Sequence, residues 1–427
     1  MPETQDRPSR GPLDGIVVCD LSTVLAGPYC TMLLADLGAD VIKIEPPSGD
    51  PTRLYGPPYA GAPQAGVTYE PSDPRSDPDY PGESAYYLAI NRNKRGMVLD
   101  LRTQTGRDVV RRLLARSDVL VENFRSGAFA AMGFDDAALA EINPRLVHLA
   151  ITGYGPDGPD AAKPGFDFVI QAVSGLMSIT GASDADGGRP TKVGVAVTDV
   201  ATGMLGAVSV LAALHARDTP GGTHEGRGQR IDLSLLDSTV AWLINQGANH
   251  LIGGMTPGRL GNRHPNMTPY EMFHCTDGEI AVAVGSERQW IRFCAALDMR
   301  ALAADPRFDS NAERVRHREE LSAVLVPVFA TRTAAEWLAV LEAAEVPSGA
   351  VRDLAQVFSD PQVVRNMVVS VDHPTAGAVP LTGVPFKLSE TPGTVRSAPP
   401  LAGQHQAEIL AWLGIDDDAS GSTSAGD

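Results

Sequence analysis

The clearest pattern of apolar and polar positions lies in residues 15–45. An apolar, β-branched run, GIVVCDL (15–21), is typical of a strand buried on both faces. Apolar residues then recur at helical spacing in TMLLADLGA (31–39), where Gly38 is a candidate helix C-cap. DVIKIE (40–45) follows as a second strand before a break rich in Pro and Gly. A strand, a helix and a strand within about 30 residues predict a parallel βαβ unit of an open α/β sheet.

The alternation of strands and helices continues to about residue 200. YYLAINRNKRGMVLDL (86–101) predicts two short strands around a basic turn, and TQTGRDVVRRLLARS (103–117) predicts an amphipathic helix. DVLVENF (118–124) and RLVHLAITGYG (145–155) read as further buried strands. This part of the chain therefore predicts an α/β domain.

The middle of the chain has a different pattern. Residues 200–250 are predicted to be helical, with a Gly-rich turn at PGGTHEGRG (220–228). GEIAVAVG (278–285) predicts a strand, whereas SERQWIRFCAALD (286–298) and TAAEWLAVLEAA (333–344) predict helices. We expect a smaller α+β domain here.

The pattern gives an order of domains. Short strands and turns follow the small domain, and QHQAEILAWLG (404–414) predicts a closing helix. The segment 54–84 is rich in Pro, Gly, Asp, Ser and Tyr, and we expect a functional or partly disordered insertion loop. The predicted parts are a large domain (1–205) with that insertion, linker helices (206–230), a small domain (231–345), a C-terminal return onto the large domain (346–415) and a disordered acidic tail (416–427).

Composition narrows the class of protein. The 427 residues carry 35 Lys and Arg against 52 Asp and Glu, which gives a net charge of −17. That excess argues against nucleic acid or an anionic membrane as the main partner, although a local basic pocket is still allowed. The N-terminus lacks the apolar core of a secretory signal, and no apolar run approaches the roughly 18–20 residues that span a bilayer. We therefore expect a soluble, cytoplasmic protein.

Two common kinds of site are disfavoured. The turn after the first strand, LSTVLAGPY (21–29), lacks the spaced glycines with which a backbone approaches a dinucleotide pyrophosphate. The histidines have no HxxxH or HxH spacing and the four cysteines form no CxxC, so we expect no metal site and reduced, buried thiols.

Basic residues cluster in this acidic chain. Arg92, Lys94, Arg95 and Arg102 fall within eleven residues, and Arg53 and Arg125 lie beside other predicted strand ends. A solvated charged face would explain such a run. A ligand with several phosphates would explain it too, because ligands of α/β sheets bind at strand ends and cations supply charge-assisted hydrogen bonds.

A second candidate is the loop that closes GFDFVIQAVSGLMSITGASDADGGRP (165–190). Asp184 and Asp186 lie there beside Gly187 and Gly188. An Asx-turn on the surface is one interpretation. The other is a nucleophilic carboxylate that attacks an activated acyl group, with backbone N–H groups to stabilise an oxyanion.

Several ordered motifs carry a resemblance to a known family. They are LAGPYCTMLLADLGADVIKIEPPSGDPTR (25–53), NRNKRGMVLDLRTQTGR (91–107), VENFRSGAFAAMGF (121–134), ITGYGPDGP (151–159), SGLMSITG (174–181), GNRHPNMTPYEMF (261–273), VPSGAVRDLAQVFSDPQV (346–363) and APPLAGQH (398–405). The chain resembles the class III coenzyme A transferases of the CaiB/BaiF type. These include formyl-CoA transferase, succinyl-CoA-dependent dicarboxylate CoA-transferases and, as a branch, 2-methylacyl-CoA racemases.

The resemblance implies a fold and an assembly. It implies a Rossmann-like large domain that binds CoA, a small α+β domain, and a homodimer of two interlocked rings with the active site at the dimer interface. CoA or acyl-CoA enters as a substrate, no tightly bound cofactor is expected, and the partners are acyl-CoA and carboxylate small molecules.

The resemblance also implies a set of CoA-binding residues. Carried over by motif, with Arg53 added from the basic cluster, they are Val24, Leu25, Ala26, Arg53, Leu99, Arg102, Asn123, Phe124 and Tyr154. Two departures stand out: an arginine of some members is Ala131 here, and no glycine-rich lid is found around 258–266. The second departure weakens an oxalate and formate assignment.

The resemblance places the nucleophile on an aspartate after SITG. Counting from Gly181 selects Asp184, whereas aligning the end of the loop selects Asp186, which we favour. The racemase branch has GHD where this chain has Phe166 before Asp167, and Phe accepts no proton. Asp199 occupies another racemase base position, but transferases also carry Asp there.

The expected activity is transfer of CoA from an acyl-CoA donor, with succinyl-CoA favoured, to a carboxylic or dicarboxylic acid. The implied mechanism passes through an aspartyl anhydride and an aspartyl-CoA thioester. Formyl-CoA:oxalate transfer and 2-methylacyl-CoA racemisation are the alternatives, and a non-catalytic acyl-CoA-binding protein is the alternative from another class.

Overall fold

The computed structural model describes residues 11–64, 67–71 and 73–415, so the predicted tail at 416–427 lies outside the described residues. The chain forms two compact units. Of the described residues, the first comprises those within 11–174, 194–242 and 361–415, and the second comprises 175–193 and 243–360. The domain boundaries expected from the sequence stay a prediction, since these units are defined by packing alone.

The strands of the described residues are short. They are β1 (Val17–Asp20), β2 (Asp40–Glu45), β3 (Tyr59–Ala60), β4 (Glu83–Ser84), β5 (Lys94–Val98), β6 (Val119–Glu122), β7 (Val147–Thr152), β8 (Arg230–Ser234), β9 (Tyr270–His274), β10 (Glu279–Ala283), β11 (Ser348–Ala350), β12 (Val368–His373) and β13 (Gly377–Thr382).

The α-helices range from one turn to six. They are α1 (Ala26–Asp36), α2 (Ala85–Ile90), α3 (Gln104–Leu114), α4 (Ala128–Ala131), α5 (Asp136–Ile142), α6 (Asp167–Val173), α7 (Val197–Asp218), α8 (Leu235–Ala241), α9 (Ile244–Leu251), α10 (Glu287–Ala296), α11 (Asn311–Arg316), α12 (Arg318–Phe329), α13 (Ala334–Ala343), α14 (Leu354–Ser359), α15 (Pro361–Met367) and α16 (Gln406–Leu413).

The first unit is built on a six-stranded sheet in the order β5-β2-β1-β6-β7-β8. Every neighbouring pair in it is parallel. Successive side chains of a strand point to opposite faces, so Val18 packs with α1 and α7 while Cys19 packs with α3 and α16. Both faces of the sheet are therefore covered by helices, and the predicted α/β class is confirmed.

The second unit has its own core. Its antiparallel sheet has the order β11-β10-β9. Trp290, Phe293, Phe329 and Trp337 are buried against it from α10, α12 and α13. The predicted strand at 278–285 and the two predicted helices are confirmed as β10, α10 and α13.

Two sequence predictions were wrong in detail. Residues 85–90 form α2 rather than a strand, because Ser84 caps the helix by accepting from the Tyr86 N–H. Residues 230–234 form β8 rather than helix, because their backbone pairs with β7 and completes the sheet.

One helix of the described residues, α7, is long and apolar enough to cross a membrane, and half of its most apolar window is buried inside the fold. The bent pair α12 and α13 passes the same test only when counted as one span. The sequence was expected to contain no apolar run that approaches bilayer length, and these helices are exceptions to it by length and composition. α7 packs along α1, and a core helix of a soluble protein has the same composition.

Candidate active site

A crevice lies at the carboxyl ends of the parallel strands. The chain builds the sheet outward from β1 through β2 and β5, then restarts on the other side with β6, so the strand order reverses between β1 and β6. Open α/β sheets bind ligands in the crevice at such a point. The cavity there has a volume of about 380 Å³. Its walls include Leu21, Thr23, Ile44, Leu99, Arg102 and Phe124.

The crevice brings together three of the predicted CoA-binding residues. Leu99 is buried at its wall, and Phe124 is half-buried and stacks on Phe129 with ring centroids 5.6 Å apart. The Arg102 side chain is 85 % exposed and is paired with Asp100. The site therefore has an apolar wall and a cation at its rim that can reach an anionic group in solvent.

The turn between β1 and α1 carries three more predicted residues, Val24, Leu25 and Ala26. Val24 has a φ of 68°, a left-handed conformation that is strained for a β-branched residue. Asn123 holds the preceding residue: its Nδ2 donates to the Thr23 carbonyl over 2.7 Å, and its Oδ1 accepts from the Thr23 N–H over 2.9 Å. The backbone next to Val24 is thus held by Asn123, which directly follows β6.

Arg53 and Tyr154 lie outside this crevice lining. The Arg53 guanidinium donates to Glu45, Glu83 and the Pro400 carbonyl, and it lies 3.8 Å above the Tyr87 ring. Tyr154 packs against the core on the α1 face of the sheet.

A pair of carboxylates, Asp167 and Asp199, lies in the same unit. Asp199 is in the first turn of α7 and is half-buried. Partial burial and the charge of the neighbouring Asp167 raise the pKa of Asp199 to about 7. Burial and the charge of Asp199 also raise the pKa of Tyr86, to about 12.

Asp167 is held by three donors. Its Oδ1 accepts from the Thr198 N–H over 3.0 Å and the Thr198 hydroxyl over 2.9 Å, and its Oδ2 accepts from Gln171 over 2.8 Å. Sequence reasoning noted Asp199 without choosing it. The missing signal was burial beside a second carboxylate, which the position in VTD alone does not reveal.

The loop with the predicted nucleophiles belongs to the second unit. Asp184 is paired with the Arg259 guanidinium and also accepts from the Arg259 N–H over 3.1 Å. Asp186 is exposed at the end of a single 3-10 turn, before the left-handed Gly187. Asp184 therefore has a fixed partner, whereas the Asp186 side chain faces solvent.

No group of three or more His, Cys, Asp and Glu side chains able to hold a metal ion occurs among the residues that the structure describes. The four cysteines are buried and free. Burial raises the pKa of Cys294 to about 12, which keeps that thiol protonated at neutral pH.

Comparison with known proteins gives one family and consistent relatives. Residues 13–406 match the family model described as CoA-transferase family III. The chain is 40 % identical over 415 residues to the succinate–glutarate CoA-transferase of Agrobacterium fabrum, across 96 % of this chain and 97 % of the relative. It is 38 % identical over 413 residues to the human succinyl-CoA:glutarate CoA-transferase, across 96 % and 88 %. A CaiB/BaiF family protein from Brucella suis superposes with a TM-score of 0.78 at 38 % identity, across 95 % of this chain and 100 % of that one.

Proposed function

This chain belongs to CoA-transferase family III and is a CoA-transferase; on that premise we propose that it moves CoA from succinyl-CoA to a dicarboxylic acid of the glutarate type. The names of the relatives support this choice of donor and acceptor, since they include succinyl-CoA:glutarate and succinyl-CoA:mesaconate CoA-transferases. CoA acts as a substrate, and no tightly bound cofactor is part of the proposal.

The crevice at the switch point is proposed as the CoA site. Leu99, Phe124 and Thr23 line the crevice, and Asn123 holds the Thr23 backbone just before the predicted segment Val24–Ala26. Arg102 supplies a positive charge for a phosphate. Arg53 and Tyr154 do not line the crevice. They remain in the proposed set as residues that hold adjacent segments of this chain in place.

The proposed chemistry needs only carboxylates and thioesters. An aspartate carboxylate attacks the succinyl-CoA carbonyl, a C–O bond forms, and the C–S bond breaks to give a mixed anhydride and CoA thiolate. The thiolate then attacks the aspartyl carbonyl of the anhydride, which yields an aspartyl-CoA thioester and free succinate. The acceptor carboxylate attacks this thioester, the C–S bond breaks, and a second mixed anhydride and CoA thiolate result. The thiolate then attacks the acceptor carbonyl of this anhydride, and the C–O bond to the aspartate breaks to give the new acyl-CoA and the free aspartate carboxylate.

We propose that the nucleophile is an aspartate of the loop after SITG, with Asp186 favoured over Asp184. The observation that carries this choice is exposure: Asp186 faces solvent before the left-handed Gly187, whereas Asp184 is held by the Arg259 guanidinium. A free carboxylate can approach a thioester carbonyl without first breaking an ion pair. Asp199 is a half-buried carboxylate of the first unit, and the same experiment tests it.

The assembly we propose is an interlocked homodimer in the cytoplasm. Exposed apolar side chains on α6 and α7 support a partner on this face, namely Phe166, Phe168, Val173, Met204 and Val208, which are 48–62 % exposed. A second copy of this chain would bury them. Sedimentation of the full chain tests this, since a monomer at micromolar concentration contradicts it.

The function is tested by trapping the acyl-enzyme. Intact-protein mass spectrometry with succinyl-CoA should detect a CoA adduct, and hydroxylamine should convert the modified residue to a hydroxamate. Peptide mapping should place it on Asp186, and the D186N variant should lose the adduct and turnover while an exposed control, D157N, keeps both. An adduct on Asp184 or Asp199 would replace Asp186 as nucleophile. No adduct from any donor, with α-proton exchange on a 2-methylacyl-CoA, would replace transfer with racemisation.

A further inference from the structure

The side chain of Arg259 ties together the loop that carries the proposed nucleophile. Its guanidinium donates from Nη2 to the Gly188 carbonyl over 3.1 Å and from Nη1 to the Ser178 carbonyl over 3.4 Å. The same guanidinium is ion-paired with Asp184. All four residues belong to the second unit, so these contacts lie within one compact body.

The backbone of Arg259 adds further contacts with Asp184. The Arg259 N–H donates to Asp184 Oδ2 over 3.1 Å, and the Asp184 N–H donates to the Arg259 carbonyl over 3.2 Å. The Arg259 side chain is 13 % exposed, whereas the Asp184 side chain is 52 % exposed. The two segments are therefore joined at one point by an ion pair and by main-chain hydrogen bonds.

Residues 180–191, which we call the nucleophile loop, form a narrow, closed turn. At its neck the Thr191 N–H donates to the Thr180 carbonyl over 3.0 Å. The Gly188 N–H donates across the turn to the Ser183 carbonyl over 2.9 Å. A Cβ on Gly188 would lie 2.1 Å from a backbone carbonyl oxygen on the opposite arm, so the two arms approach closely.

The contacts of Arg259 bracket Asp186. Asp184 lies two residues before it and Gly188 two residues after it, and the exposed Asp186 side chain takes its direction from the backbone between them. We propose that Arg259 is a positioning residue of the nucleophile loop, which holds this backbone so that the Asp186 carboxylate can attack the thioester carbonyl. Asp184 then serves as the counter-ion of Arg259. The proposal rests on the function proposed above, and Arg259 touches no substrate in it.

The second unit offers a matched control, Arg314. It pairs with Glu287, whose side chain is 51 % exposed, and it donates to the Thr268 and Phe308 carbonyls over 2.9 and 3.0 Å. Arg314 therefore makes the same kinds of contact as Arg259, but with partners outside the nucleophile loop. R259M and R314M should both lose stability, because each removes an ion pair and main-chain hydrogen bonds. Only R259M should slow the chemistry.

The experiment measures three quantities on the full chain: the rate of CoA-adduct formation from succinyl-CoA by quenched mass spectrometry, the Kd for CoA by calorimetry, and thermal unfolding. R259M should slow adduct formation by about 10–100-fold, because a displacement of about 1 Å in the reacting group has an effect of that size. Its Kd for CoA should be unchanged. R314M should unfold at a lower temperature with rate and Kd unchanged.

Two milder variants carry the test if R259M does not fold. R259K keeps the charge and loses the planar fork, so its rate should lie between those of the wild type and R259M. D184N should slow adduct formation by a smaller factor than R259M, with the adduct still on Asp186. In the R259M background D184N should slow the reaction no further, because the pair is already broken.

The outcomes separate this proposal from the function on which it rests. A folded R259M that labels Asp186 at the wild-type rate would overturn the positioning role and leave the function intact. An equal loss of rate in R314M would also overturn it, since the cause would then be general destabilisation. An adduct on Asp184 would make that residue the nucleophile and not a counter-ion. No adduct in the wild type would overturn the proposed function and the role of Arg259 together.

Discussion

The side-chain amide of Asn123 closes a two-point clamp on the backbone of Thr23, donating to its carbonyl over 2.7 Å and accepting from its N–H over 2.9 Å. The two residues follow β6 and β1, the strands between which the sheet order reverses. The clamp therefore fixes the width of the crevice at the point where an α/β sheet binds its ligand.

Removing this clamp should weaken CoA binding. N123A leaves two backbone groups of Thr23 without partners, which costs about 1–3 kcal/mol, and we expect the KM for succinyl-CoA to rise by about tenfold. N143A is the control, because Asn143 also bonds two backbone carbonyls, of Leu114 and Ser117, away from the crevice lining. N143A should lose stability with KM unchanged. Equal KM values for the two variants would contradict a role of the clamp in binding.

Asp199 should titrate near neutral pH. Its pKa of about 7, raised by partial burial and by the charge of Asp167, lies well above the value of about 3.9 for a free aspartate. D167N removes the neighbouring negative charge, so the pKa of Asp199 should move lower. Carbon-13 NMR of labelled aspartate carboxyls measures this pKa in the wild type and in D167N, and D199N assigns the signal. A pKa that is the same in both proteins would contradict the coupling of the two carboxylates.

Ionisation of Asp199 should lower the free energy of unfolding. Its pKa is near 3.9 in the unfolded chain and about 7 in the fold, so ionisation favours unfolding, increasingly from pH 4 to pH 7 and fully above that. D199N lacks this penalty. Urea unfolding should therefore give D199N a larger free energy of unfolding than the wild type at pH 8, with the difference shrinking at pH 5. A difference that is equal at pH 5 and pH 8 would contradict this penalty.

Arg102 should contribute through its charge. R102A should raise the KM for succinyl-CoA by about tenfold and leave kcat unchanged, because the guanidinium is proposed to bind a phosphate and not the reacting carbonyl. Added salt should raise KM in the wild type and much less in R102A. R288A, an exposed arginine on α10, is the control. If added salt raised KM equally in the wild type and in R102A, the phosphate contact would lie at another residue.

Gly258 should be required by the loop that carries Asp184. A Cβ at this position would lie 2.6 Å from Asp184 Oδ2, the end of a half-exposed side chain that can move away, so G258A should displace that carboxylate from Arg259 and lower the free energy of unfolding by only about 0.5 kcal/mol. G278A, where a Cβ meets nothing within 4 Å, should cost much less. In the D184A background the penalty of G258A should largely vanish, because the clashing oxygens are gone. A penalty that persists there would point to the backbone instead.

Most of the sheet could be predicted from the sequence, but only part of the site. Strands β1, β2 and β6 and helix α1 could be predicted because both faces of this sheet are buried, and buried strands consist of apolar runs. β8 could not, since Arg230 and Asp232 alternate with apolar residues at an edge of the sheet and run directly into α8. Its partner β7 lies about eighty residues earlier, and local patterns do not reveal such pairing.

The candidate site divides in the same way. Leu99, Arg102 and Phe124 were expected at one site because the family resemblance implies it, and all three line one crevice. The pairing of Asp184 with Arg259 and of Asp199 with Asp167 could not be predicted, since each joins segments that only the folded chain brings together. The half-buried pair of Asp167 and Asp199 is thus a product of packing.

The closing helix α16 has a consequence for how the protein is made. Its Ile409, Leu410 and Leu413 are buried with Leu113 and Phe134 of the first unit, next to strands formed early in the chain. The ribosome must therefore synthesise residues 406–413 before this core can be completed. Until then, one face of the nascent sheet stays uncovered, and we expect it to need a chaperone or fast late synthesis to avoid aggregation.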